Sequence, residues 1–149
     1  MDSYFDGSKS KAGVGAGCIL ISPEGEKTML VWKLEFDCTN NIAEYEALIQ
    51  GLYKAIDLDI KYLKVLGVSE IIIKQVRTTI HFHSRHLMHY QSLVQELTIH
   101  FLAFNIYSML RIRNASADLL ANVASKLIPS QEFSPDRFSI EFIFRFSYI

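Results

Sequence analysis

Apolar and polar positions change period along this chain, and the change marks out its elements. Asp2 to Phe5 alternate loosely and run into Asp6-Gly7, a pair that usually closes a strand, so a short first strand is predicted. Gly13 to Gly17 is small and flexible and leads into the apolar run Cys18 to Ser22. Pro23 to Glu26 reads as a turn, and Thr28 to Phe36 as a third strand. Then the period lengthens. From Asn41 to Asp59 the apolar residues fall at Ala43, Ala47, Leu48, Leu52, Ala55 and Ile56, a helix with one buried stripe. Thr39 and Asn40 stand just upstream as capping residues. Tyr62 to Leu66 is a short β run ending at Gly67. Glu70 to Arg77 reads as a helix, although its Ile71-Ile72-Ile73 run is β-branched and would also suit a strand. Leu87 to Phe101 has helical spacing, Asn105 to Ile112 is strand-like, and Ala115 to Leu127 is an alanine- and leucine-rich helix.

The order is β-β-β-α-β-α-α-β-α. A hairpin meander followed by alternating elements predicts an α/β fold: a mixed sheet of three antiparallel and then parallel strands, five in all, covered by helices. Residues 1–128 form this domain. Past Pro129 the character shifts to a C-terminal extension, 129–149, whose role the sequence leaves open. Ser130 to Arg137 is polar and turn-rich, and Phe138 to Ile149 is aromatic and alternating, like an extra strand or the beginning of a further element.

Composition narrows the class. The chain has 149 residues, half of them hydrophobic, which suits one globular domain with a real core. No apolar run is long enough to span a bilayer and no cleavable leader pattern opens the chain, so an intracellular protein of cytoplasm or nucleus is expected, with no membrane partner. The formal net charge of −1 offers no broad basic surface. Any nucleic-acid binding must come from local charge or from metal ions bridging acids to phosphates. Cys18 and Cys38 show no metal-ligand spacing and read as buried reduced thiols rather than a disulfide.

Four places carry candidate chemistry. Asp6 ends the first strand and is followed by glycine, which lets another backbone approach; taken alone, Asp-Gly is usually just a turn. Glu44 stands in the first turn of the long helix, and Asp118 opens the last helix. Each of these alone is an acid favoured by the helix dipole. Gly67-Val68-Ser69-Glu70 is a strand-to-helix corner, where ligands sit in open α/β sheets.

Together these segments resemble the ribonuclease H family over residues 1 to about 128. Asp6-Gly7-Ser8 is similar to its first-acid motif, Thr39-Asn40-Asn41 with Glu44 to its second, and Asn114 through Asp118 to Ala121 to its fourth. The Tyr4 to Ser10 and Glu44-Tyr45-Glu46-Ala47-Leu48 stretches are most similar to the ribonuclease H domains of plant gypsy-type retrotransposon polyproteins. The resemblance implies a metal-dependent endonuclease that cuts the RNA strand of RNA–DNA hybrids, with two Mg2+ (or Mn2+) ions held by four carboxylates. It assigns catalysis and metal binding to Asp6, Glu44 and Asp118, and substrate contacts to Gly7, Ser8, Asn40, Asn41 and Arg113. It also implies a monomer or a part of a larger polyprotein.

The pattern departs at one place. The family has Gly-Asp-Ser at the fourth-strand corner; this chain has Gly67-Val68-Ser69. Magnesium demands hard oxygen ligands, and valine offers none. Severely reduced cleavage is therefore expected, or a degenerate module that only binds nucleic acid or holds a structure. Ser69, Glu70 and Asp37 are weak substitutes by reach or position. Removing one of several clustered acids also relieves repulsion, so the fold itself is expected to be stable. Arg111 and Arg113 precede the last helix, as phosphate contacts or as solvated charges. His81, His83, His86 and His89 form a dense run with Arg85. It reads as surface polarity or weak nucleic-acid contact rather than as a transition-metal site. Lys9 and Lys11 read mainly as solvated, and Trp32 as core.

Overall fold

The computed structural model describes residues 1–77, 84–109 and 138–148. Six strands and three helices follow in the order β1 (Asp2–Ser10), β2 (Gly13–Ile21), β3 (Lys27–Leu34), α1 (Asn40–Asp57), β4 (Tyr62–Gly67), α2 (Glu70–Arg77), α3 (Arg85–Thr98), β5 (Ala103–Ser108) and β6 (Phe138–Ile143). They form one sheet in the order β5-β4-β1-β2-β3-β6. β1–β2 and β2–β3 are antiparallel; β1–β4, β4–β5 and β3–β6 are parallel. Five of these strands are the mixed sheet the sequence predicts, and β6 adds the extra strand at the β3 edge.

The first strand is not short. β1 runs through Asp6-Gly7 to Ser10, and Gly7 pairs with Ala16 inside the ladder. Gly13 to Gly17 is likewise strand, not flexible linker. The turn sits at Lys11-Ala12, where the Ser10 hydroxyl accepts from Ala12 N and Gly13 takes a positive φ of 147°. An Asp-Gly pair signals a turn through local preference; here nine ladder pairs to an apolar β2 outweigh it.

α1 begins as the sequence predicts, with the Thr39 hydroxyl accepting from Ile42 N at 3.2 Å. Its first half is buried all round: Ile42 to Ile49 are buried without a break. One side packs on the sheet, with Ala43, Ala47 and Leu48 in the same core as Phe5, Cys18 and Val65. The other side is covered by α3 and by the C-terminal segment after β6. There Phe146 packs on Phe36 (4.8 Å between centroids) and stacks on Tyr148, and Tyr148 packs on Tyr90. Both cysteines are free and buried. Among the described residues no helix is long and apolar enough to cross a membrane. The predicted last helix, Ala115 to Leu127, lies outside the described residues.

Candidate metal centre at the carboxyl end of the central strands

β1 lies between an antiparallel neighbour, β2, and a parallel one, β4. The β1–β4 ladder ends at Phe5 opposite Gly67, where β4 stops and β1 runs on paired with β2. This is the kind of crevice where α/β sheets bind ligands. Asp6 is the next residue on β1 and Val68 the next after β4.

Two glycines make the crevice tight. A Cβ on Gly7 would stand 2.8 Å from Ala43 Cβ and nearer still to the backbone C of Ala43 and N of Glu44. So β1 touches α1 at the turn that carries Glu44. A Cβ on Gly67 would run into the Phe5 ring, 3.2 Å from Cδ1 and nearer to Cε1 and Cζ. The absence of side chains at these two points lets strand, helix and corner converge.

Asp6 is 1 % exposed and Glu44 8 % exposed. Asp6 Oδ1 accepts from Gly7 N at 3.0 Å. Glu44 is the fifth helical residue, and the first turn of α1 holds no acid. The helix-dipole account of Glu44 therefore gives way to a positional one: the side chain is buried where α1 meets β1. Two buried carboxylates on touching elements repel unless a cation or hydrogen bonds compensate them. Their hard oxygens suit a divalent ion such as magnesium. The donor set fits at Asp6 and Glu44 and fails at Val68, which is half-buried and apolar. Among the described residues no group of three or more His, Cys, Asp or Glu could hold a metal. Asp118, the third acid named from sequence, lies outside the described residues, as do Arg111, Arg113, His81 and His83.

The residues weighed as substitutes for an acid at position 68 are placed elsewhere. The Ser69 hydroxyl accepts from Ile72 N at 3.4 Å and so caps α2. Glu70 and Asp37 are exposed. Because Thr39 takes the capping role, exposed Asn40 and half-buried Asn41 keep their amides available at the open end of α1. Gly7 and Ser8 are half-buried beside Asp6. His86 and His89 turn to the C-terminal segment: His86 Nδ1 lies 2.5 Å from Tyr148 OH, and His89 stacks on Tyr148 at 4.8 Å.

One acid that the sequence did not single out is more buried than either candidate ligand. Glu46 is 0 % exposed. Its carboxylate accepts from the Tyr90 hydroxyl, from Ser147 N at 2.9 Å and from the Ser147 hydroxyl. Burial raises its pKa, and the bonds from Ser147 and Tyr90 oppose the shift. Tyr45 beside it is raised by burial, and its hydroxyl donates to Gln75 Oε1 at 2.6 Å. No local signal marks it: position 46 lies across the helix from the apolar stripe of Ala47, Leu48, Leu52 and Ala55, and it is α3 and the C-terminal segment that bury it.

The comparisons with known proteins agree with this geometry. The family model described as "Reverse transcriptase-like" matches residues 2–124. The chain is 32% identical over 124 residues to a ribonuclease HI of Halobacterium salinarum; the match covers 82% of this chain and 62% of that protein. The solved structure of RNase H1 from Halobacterium salinarum superimposes with a TM-score of 0.73 at 29% identity, covering 83% of this chain and 95% of that one. A further structure, LC11-RNase H1 in complex with an RNA/DNA hybrid, superimposes with a TM-score of 0.70 at 24% identity over 83% of this chain and 95% of that one, a likeness of fold. With a family match across most of its length and the same mixed sheet, the chain belongs to the ribonuclease H family, in the group described as reverse transcriptase-like.

Proposed function

We propose that this chain is a hybrid-binding ribonuclease H module whose metal centre is one carboxylate short, so that it cleaves the RNA strand weakly or not at all. The observation that carries this reading is Val68, an apolar, half-buried residue that directly follows the last β4 pair, Gly67 with Phe5, where β1 goes on to buried Asp6. Asp6 and Glu44, with Asp118 by sequence, would hold Mg2+ or Mn2+. When bound, such an ion supplies an activated water and a counter-charge for the phosphate being cut. The chain's own part is to hold the two acids rigidly and to present polar groups to the hybrid. Asn40 and Asn41, at the N-terminus of α1, face phosphates with amide and backbone donors. Gly7 and Ser8 approach the RNA strand, where the 2′-hydroxyl distinguishes RNA from DNA. The complex of LC11-RNase H1 with hybrid supports the class of partner. The reverse transcriptase-like family model, with the Tyr4 to Ser10 and Glu44 to Leu48 stretches, supports an origin in a retrotransposon polyprotein.

The retained Asp6–Glu44 pair favours a competing reading, a working nuclease, and one assay separates the two. Cleavage of a labelled RNA–DNA hybrid is measured in Mg2+ and in Mn2+. Val68→Asp is expected to raise the rate at least about tenfold over wild type, the scale on which metal-site partners act. Strong wild-type cleavage that Glu44→Gln abolishes overturns the reading of an impaired centre.

A further inference from the structure

The family model ends at residue 124, yet residues 138–148 cover one edge of the sheet and one side of α1. This segment is held in two ways. β6 pairs in parallel with β3 from Met29–Phe138 to Leu34–Ile143. Beyond it, Ser147 gives both its amide and its hydroxyl to the buried Glu46 carboxylate, and Gln50 Nε2 reaches the same hydroxyl at 3.0 Å. The rings on either side of Ser147 lock the register: Phe146 packs edge-on to Phe36, and Tyr148 packs edge-on to Tyr90. Tyr90 in turn donates to Glu46.

These features are those of a peptide-recognition site. An extended segment adds to a sheet edge through main-chain bonds, and pockets for particular side chains give specificity. The fully buried Glu46 carboxylate on α1 takes donors from Tyr90 of α3, from Gln50 and from the arriving serine, whose amide and hydroxyl both reach it. We propose that the groove between α1, α3 and the β3 edge is a binding site for an extended aromatic-Ser-aromatic peptide, filled in cis by the chain's own C-terminal segment and able to take that segment in trans. The inference does not depend on whether the domain cleaves hybrid.

The test uses the full chain. Ser147→Asp sets a second carboxylate against Glu46 and releases the segment. Amide hydrogen exchange over residues 138–148 is expected to accelerate by roughly 100-fold or more, as for a broken buried charge arrangement, while β1 and β2 stay protected. A fluorescent synthetic peptide of residues 138–149 then binds the Ser147→Asp chain saturably by anisotropy and does not bind wild type, whose groove is filled. Adding Glu46→Gln to Ser147→Asp removes the repulsion, restores protection and abolishes peptide binding. Phe146→Ala, which adds no charge, serves as a second variant should Ser147→Asp fail to fold; it is expected to admit the peptide too. Failure of both folded variants to bind the peptide overturns the proposal, as does equal binding to wild type. Loss of protection across the whole sheet in Phe146→Ala also overturns it, because the segment would then be inseparable core.

Discussion

Gly7→Ala tests the contact on which the site rests. The added methyl would lie 2.8 Å from Ala43 Cβ and closer to the backbone of Ala43 and Glu44. Carbon atoms prefer about 3.5 to 4.0 Å, so α1 must retreat from β1 by about 1 Å. The neighbours are backbone atoms of a buried helix and cannot rotate away. Overpacking of this kind costs typically about 1 to 3 kcal/mol, and the rigid surroundings place this case near the top. Replacing glycine in a strand returns some fraction of a kcal/mol in chain entropy, roughly 0.5 to 1. The net loss is about 2 kcal/mol. For a chain of this size that lowers Tm by roughly 4 to 8 °C, from about 2 to 4 °C per kcal/mol. The same retreat draws Glu44 away from Asp6, and a misplacement of about 1 Å in a catalytic site can cost about 100-fold. Urea denaturation and Mg2+-dependent thermal shift measure the two effects on one sample. A Gly7→Ala chain within about 0.5 kcal/mol of wild type, the range of ordinary surface changes, would refute the reasoning.

Other expectations follow from the interior. Burial pushes the Cys18 thiol up to about 12 from 9.0, against a lowering bond from Ser3. The unfolded chain therefore loses this proton first, and the associated stability, intact below pH 9, is lost as pH rises from 9 toward 12, at up to about 1.4 kcal/mol per pH unit. Urea midpoints at pH 8 and pH 10 should show this fall, and Cys18→Ala should make it shallower; an unchanged slope counts against it. Tyr45→Phe strips the donor from buried Gln75 Oε1 and should cost about 1 to 3 kcal/mol, seen as a lower urea midpoint without a change in m-value. Thr39→Ala removes the cap of α1 and should cost about 1 kcal/mol, with faster amide exchange confined to the first turn.

Much of this fold could be read from periodicity. α1, β4 and α2 lie where the spacing places them, and the antiparallel meander followed by parallel strands was legible from element order. The departures have physical causes. Asp6-Gly7 carries a turn signal, but its register with Gly17 and Ala16 keeps it in the ladder. The glycines of 13–17 look flexible locally and become strand because both neighbours pair along their length. Glu44 and Asp6 were nameable because their order and flanks resemble a family; their burial was not, since it depends on glycine-permitted contact between elements far apart in sequence. Glu46 escaped notice because its partner, Ser147, lies 101 residues away. No local pattern links those two positions.

The central claim is a metal centre lacking a ligand at Val68, and magnesium affinity tests it without requiring turnover. Isothermal titration of Mg2+ into wild type, Val68→Asp and Val68→Asp/Glu44→Gln compares the centres directly. Val68→Asp should bind at least about tenfold more tightly than wild type, and Glu44→Gln should cancel that gain. Wild type binding magnesium as tightly as Val68→Asp would contradict the claim.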